Sequence, residues 1–191
     1  MDILSSMFFL YYRLKLSRKT MLNKITNLIR TVYQNYFELG AGFGALIIVC
    51  MAILMDKFLY LHACPLCIMT RYLFLFIAII SFTGYFFKRI RLLTRLITLF
   101  LGLLGVVVNL RQIYIQNLSA EEIAQLAPNC GMPLETQIEF FGFFQGIMNA
   151  FQGGPTCAED GWRFIFNFSE WALIFFVVYI TATLFKLRAS R

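Results

Sequence analysis

The sequence predicts an all-α membrane protein: a four-helix transmembrane bundle with a long outer loop that carries a short amphipathic helix. Two observations predict it. Hydrophobic residues make up 60% of the 191 and charged residues 14%, with a mean hydropathy of +0.72, whereas soluble globular domains carry roughly 25% charge. The charges are also unevenly spread and leave four long apolar stretches between them. A charge at the centre of a spanning helix costs roughly 2.5 to 3.5 kcal/mol on insertion scales, so charges mark the expected span ends.

Taken in order, residues 3–12, "ILSSMFFLYY", are apolar, but the basic cluster follows them, which reverses the order of a signal peptide. Two readings fit: a surface-lying segment, or translation beginning at Met21 instead of Met1. The four spans are Leu39 to Met55, Tyr72 to Phe87, Leu96 to Leu110 and Trp171 to Phe185, each bounded by charged residues. Each is a little shorter than the ~20 residues that cross a bilayer. Snorkelling Arg and Lys at the ends, and apolar neighbours such as Phe58 to Leu61, make up the difference. The segment 112–169 is too large for a simple connection. Within it Phe140, Phe144, Ile147, Met148 and Phe151 recur at helical spacing, the pattern of an amphipathic helix lying on the outer leaflet. No internal repeat is visible.

Orientation follows from the basic residues. Thirteen of the 17 Lys and Arg fall before the first span, in the turn Lys88 to Arg95, or after the last span. The positive-inside rule therefore puts both termini and the middle turn in the cytoplasm. The expected organisation is a cytoplasmic segment 1–38, a transmembrane domain 39–185 with outer loops at about 56–67 and 112–169, and a tail 186–191. The net charge of +7 then describes a cytoplasmic rim against anionic lipid, and no nucleic-acid partner is expected.

Cys64, Cys67, Cys130 and Cys157 all fall on the outer side, where disulfides persist. Four cysteines allow three pairings. The local one, Cys64 with Cys67, is a C-x-x-C, a spacing that permits a reversible disulfide; Cys130 with Cys157 would then close the large loop. Pro65 suits a turn and places Cys67 at the start of the second helix, where the helix dipole favours a thiolate. Arg71 follows four residues later, on the same helical face and one turn deeper. A thiolate beside a guanidinium at membrane depth suits a lipid-soluble acceptor with carbonyl oxygens, such as a quinone.

Plainer readings stand beside this one. The cysteines could staple loops of a non-catalytic scaffold, and Arg71 could snorkel to headgroups. Cys50, inside the first span, reads as a small apolar residue, and His62, the single histidine, as an interfacial polar group. Neither a double C-x-x-C zinc site nor a C-x-x-C-H haem attachment is written, so no metal is expected.

The stretch "CPLCIMTR" (Cys64 to Arg71), the "PNC" at 128–130 and "CAEDGWRF" (Cys157 to Phe164) followed by "EWALIFF" resemble the disulfide bond formation protein B (DsbB) family of bacterial inner membranes. The resemblance covers most of residues 39–185. The N-terminal extension and the longer run between the second cysteine pair depart from the pattern. The resemblance implies an inner-membrane quinone-dependent oxidoreductase with periplasmic cysteine loops, and Cys64, Cys67, Cys130 and Cys157 as its catalytic residues. A reduced DsbA-like thioredoxin-fold oxidase would attack Cys130 and release Cys157. Cys157 would attack Cys64, and Cys67 would pass electrons to ubiquinone or menaquinone held by Arg71. A related enzyme working in the reducing direction would share these features.

Overall fold

Helix α2 (Pro65–Phe86) shows how locally the sequence writes its ends: Pro65 occupies the first helical position, Cys64 is the extended N-cap, and the Cys64 sulfur accepts from the Cys67 N–H. The computed structural model describes residues 33, 36–60, 63–124, 132, 134–158, 163 and 165–189. The chain divides into two units, Met1–Phe37 and Glu38–Arg191; the site lies wholly in the second. Residues 1–32, His62 and Cys130 fall outside the described residues.

Four helices are long and apolar enough to cross a membrane: α1 (Tyr36–Leu59), α2, α3 (Arg91–Gln116, entered through a 3₁₀ turn at Lys88–Ile90) and α8 (Phe168–Ala189). Between α3 and α8 run α4 (Ala120–Ala124), α5 (Leu134–Phe141), α6 (Phe143–Gln152) and α7 (Pro155–Ala158). Among the described residues there is no strand beyond one isolated bridge, Arg163 with Asn167.

The helices run past the charges that bound the apolar stretches. Glu38, Asp56, Arg71, Arg95, Arg111 and Lys186 all lie within helical spans. The physical reason is pairing: buried Glu38 bonds Arg95 and lies 3.8 Å from Arg91, and Asp56 holds Arg71. An ionised group tolerated inside a bundle is one that meets its partner there. Charge position alone therefore understates each helix by several residues.

Helix α3 is central, packed against α2 on one side and α8 on the other. Phe74 of α2 stacks on Phe176 of α8, ring centroids 4.1 Å apart and planes 12° apart, with Ala45 and Val49 of α1 completing the core. Gly105 of α3 faces the Phe176 ring so closely that any side chain there would collide with it. Between membrane helices, where lipid is as apolar as leucine, such close approach and van der Waals contact supply the cohesion. Many large apolar side chains correspondingly face outward, as a lipid-facing surface requires.

The amphipathic helix expected around residues 140–151 is a pair of helices. Gly142, with φ of 79°, breaks α5 from α6, and Gly146 lets α6 pack directly on the backbone of Ile138. Phe140, Phe143, Phe144 and Met148 remain exposed on this pair. The chain then returns to the bundle: Arg111 donates to the Gln152 carbonyl at 3.0 Å, and Gly153, with φ of 76°, passes tightly over Ile115. That close passage needs a residue with no Cβ, and it delivers α7 to the top of α2.

Candidate active site

Cys64, Cys67 and Cys157 meet at the junction of α2, α3 and α7. Cys64 and Cys157 are buried in one cluster with Leu66, Val108 and Ile115. The Cys64 thiol lies 3.2 Å from the Cys67 sulfur and also reaches Cys157 as a hydrogen-bond partner. The shared proton separates the two thiols electrically. Cys64, donating to Cys157 and Cys67 and buried, is held well above its ordinary value of 9.0. Cys157 is lowered to about 6, first by the hydrogen bond from Cys64 and then by backbone hydrogen bonds with Gly154 and Leu66. The start of α2 thus serves two sulfurs, its Cys67 N–H turned to Cys64 and Leu66 to Cys157.

Cys67 faces the other way, into a cavity of about 640 Å³ bounded by α1, α2, α3 and α8. Its lining is mostly apolar, with aromatic walls from Phe74, Trp171 and Phe175. Ile47, Met51 and Phe175, which line it, are also exposed on the lipid-facing surface. Polar groups cluster at the Cys67 end. Gln112 donates to the Cys67 sulfur at 3.0 Å and lies 3.7 Å from that of Cys64. Arg71 lines the same cavity, its two terminal nitrogens on the Asp56 carboxylate at 2.5 and 2.9 Å. Buried Thr70 Oγ1 and Asn109 Oδ1 also line it and have no hydrogen-bond partner among the described residues. Buried polar atoms left unpaired are costly, so these mark where a polar ligand atom would be welcome.

This arrangement is a dithiol with one buried member, Cys64, that can exchange with a third cysteine, and a partly exposed one, Cys67, that faces an apolar, donor-bearing chamber open to lipid. The chain matches the family described as Disulfide bond formation protein DsbB over residues 34–186. The chain belongs to that family. It is 28% identical over 155 residues to disulfide bond formation protein B of Marinobacter nauticus, covering 75% of this chain and 88% of that one. It is 32% identical over 147 residues to the protein of the same name from Aromatoleum aromaticum, covering 72% and 86%. No solved structure matches it. As a DsbB family member with four spanning helices it is a multi-pass inner-membrane oxidoreductase of disulfide bond formation.

Of the residues singled out in the sequence, Cys64, Cys67, Cys157 and Arg71 come together, whereas Cys50 lies exposed on α1 outside the cavity lining. Four residues were not foreseen: Asp56, Thr70, Gln112 and Asn109. A signal existed for the last two, since Asn109, Gln112 and Gln116 form a polar stripe at helical spacing in an apolar helix.

Proposed function

We propose that the chain reoxidises a periplasmic DsbA-like thiol oxidase and passes the electrons to membrane quinone, ubiquinone or menaquinone. The observation that carries this reading is the position of Cys67, one sulfur of the dithiol, on the wall of a lipid-open apolar cavity that also holds Arg71. The remaining cavity polarity fits a quinone: Arg71 and Thr70 offer hydrogen-bond donors suited to a carbonyl oxygen, and the aromatic walls suit a flat ring.

The sequence of steps uses disulfides at Cys64–Cys67 and Cys130–Cys157. A thiolate of the reduced partner attacks Cys130, forming a mixed disulfide and expelling Cys157. The Cys157 thiolate then attacks Cys64, breaking the Cys64–Cys67 bond and leaving Cys67 as thiolate. Backbone hydrogen bonds with Gly154 and Leu66, which lower the Cys157 pKa whatever the redox state of Cys64, favour Cys157 as the leaving thiol in the first exchange. Its hydrogen-bonding reach to Cys64 is the short path that the second needs. The partner's second thiol attacks the mixed disulfide, leaving as oxidised partner and freeing Cys130. Cys130 attacks Cys157, which restores Cys130–Cys157 and returns Cys64 as a thiol. The Cys64/Cys67 dithiol gives two electrons and two protons to one quinone and closes again to a disulfide. A DsbA-type partner has a potential near about −120 mV, so the acceptor supplies the driving force. In this reading residues 39–185 are the redox domain, both termini are cytoplasmic, and the loops at about 56–67 and 112–169 face the periplasm.

The test is turnover by purified protein in detergent with a reduced DsbA-type oxidase and a short-chain quinone, followed by quinone absorbance. Catalytic quinone loss that vanishes in Cys67→Ser, with the variant still folded, is the expected result. Turnover undiminished by Cys67→Ser would refute the relay, and electron flow only from quinol to the partner would reverse its direction.

A further inference from the structure

Among the described residues, Arg71 is the one cationic side chain lining the cavity and Asp56 the one anionic. They meet in a two-point contact, at 2.5 and 2.9 Å, with side chains only 22% and 21% exposed. Asp56 comes from the last turns of α1 and Arg71 from the second turn of α2, so the pair bridges two walls of one chamber.

A guanidinium alone in an apolar chamber bordering lipid would attract any anionic amphiphile within reach, because charge attraction grows as the surrounding dielectric falls. Bidentate carboxylate pairing changes this in two ways. It cancels the net charge, leaving a local dipole, and it fixes the plane of the guanidinium. The remaining N–H donors then belong to an ion pair with no net charge, which suits a neutral acceptor.

We propose that Asp56 is a specificity-determining residue: it neutralises and orients Arg71, so that the cavity takes a neutral, carbonyl-bearing lipid and turns away anionic amphiphiles. The inference rests on the quinone reading above and assigns to Asp56 no electron and no proton. Asp56 acts through Arg71, as a positioning residue.

The experiment uses the full chain in bilayer discs of zwitterionic lipid, with quinone and reduced DsbA-type oxidase as substrates. Laurate is the anionic probe and methyl laurate its neutral control. In Asp56→Asn the KM for quinone rises about tenfold, the scale of one lost orienting contact, while the KM for the protein dithiol stays unchanged. Laurate becomes a competitive inhibitor against quinone in that variant and leaves the unaltered protein untouched; methyl laurate inhibits neither. Asp56→Glu, which keeps the charge but displaces the fork, continues to exclude laurate while its quinone KM rises. If Asp56→Asn does not accumulate as folded protein, Asp56→Ser removes the same charge and carries the laurate test. Equal laurate inhibition with and without the Asp56 charge would overturn the proposal, as would a lowered quinone KM in Asp56→Asn, which would mean that Asp56 withholds Arg71. Neither result touches the relay itself, which stands or falls with Cys67→Ser.

Discussion

Titrating Cys157 tests the electrostatics of the three-sulfur cluster directly. The drop from 9.0 to about 6 makes the residue roughly 90% thiolate at pH 7, where an ordinary thiol of that value would be roughly 1%. The gain in attacking power is smaller than that ratio. Nucleophilicity falls with pKa at a Brønsted slope of roughly 0.4–0.5, so the net advantage in attack is only about three- to sixfold. Both figures belong to the fully reduced cluster, in which Cys64 keeps the proton it donates. The assay is ultraviolet thiolate absorbance of the fully reduced protein across pH, with Cys157→Ser subtracted. The expected component has a midpoint near pH 6, and it moves up toward the ordinary thiol range in Cys64→Ala, because Cys64 supplies the main hydrogen bond. Stability follows the same linkage. The folded protein binds the Cys157 proton more weakly than the unfolded chain, so this contribution is full above about pH 9 and is lost as pH falls to about 6. Cys64 has the opposite sign: its contribution is full below about pH 9 and is lost as pH rises through its raised folded value. A Cys157 component that titrates at pH 8 or above and ignores Cys64→Ala would refute the reasoning.

Gln112→Leu removes the 3.0 Å donor to Cys67 at nearly constant volume; hydrogen bonds to charged groups contribute roughly 1.5–3 kcal/mol, so single-turnover quinone reduction slows by about tenfold or more while partner binding is unchanged. Stopped-flow absorbance checks it, and an unaltered rate would remove Gln112 from the site. Glu38→Gln leaves buried Arg95 without its counter-charge, at a cost of roughly 3–5 kcal/mol. It lowers the thermal unfolding midpoint in detergent without changing the quinone KM, because this pair lies at the opposite end of the helices from Cys67.

The four helices and the Cys64–Cys67 pair were legible because each is local: an apolar run, a C-x-x-C, a proline beside the N-cap. What lay hidden depends on contacts between distant segments. Asp56 and Arg71 are 15 residues apart and read as two span boundaries until their side chains meet. Gln112 reaches Cys67 across 45 residues, so its polar position in α3 was visible but its target was not. The break at Gly142 was missed for another reason. The apolar periodicity continues through it, and only the positive φ divides the run in two. Cys64 and Cys157 could be paired with the rest by type, yet their division into a proton donor and a ready thiolate needs the cluster in three dimensions.

The junction of α3 and α8 sets how freely the intervening segment can change over evolution. Gln116 at the end of α3 accepts from Asn167 at 2.9 Å and from Ser169 at 2.8 Å, and Asn167 and Glu170 cap the start of α8 reciprocally. With both ends pinned to one another, the entropy of closing the stretch between them rises by only about 0.6 kcal/mol for each doubling of its length. Insertions and deletions in that stretch are therefore inexpensive as long as the clasp and the seat of Cys157 persist. The sequence can drift there while the sulfur cluster and its cavity stay as they are.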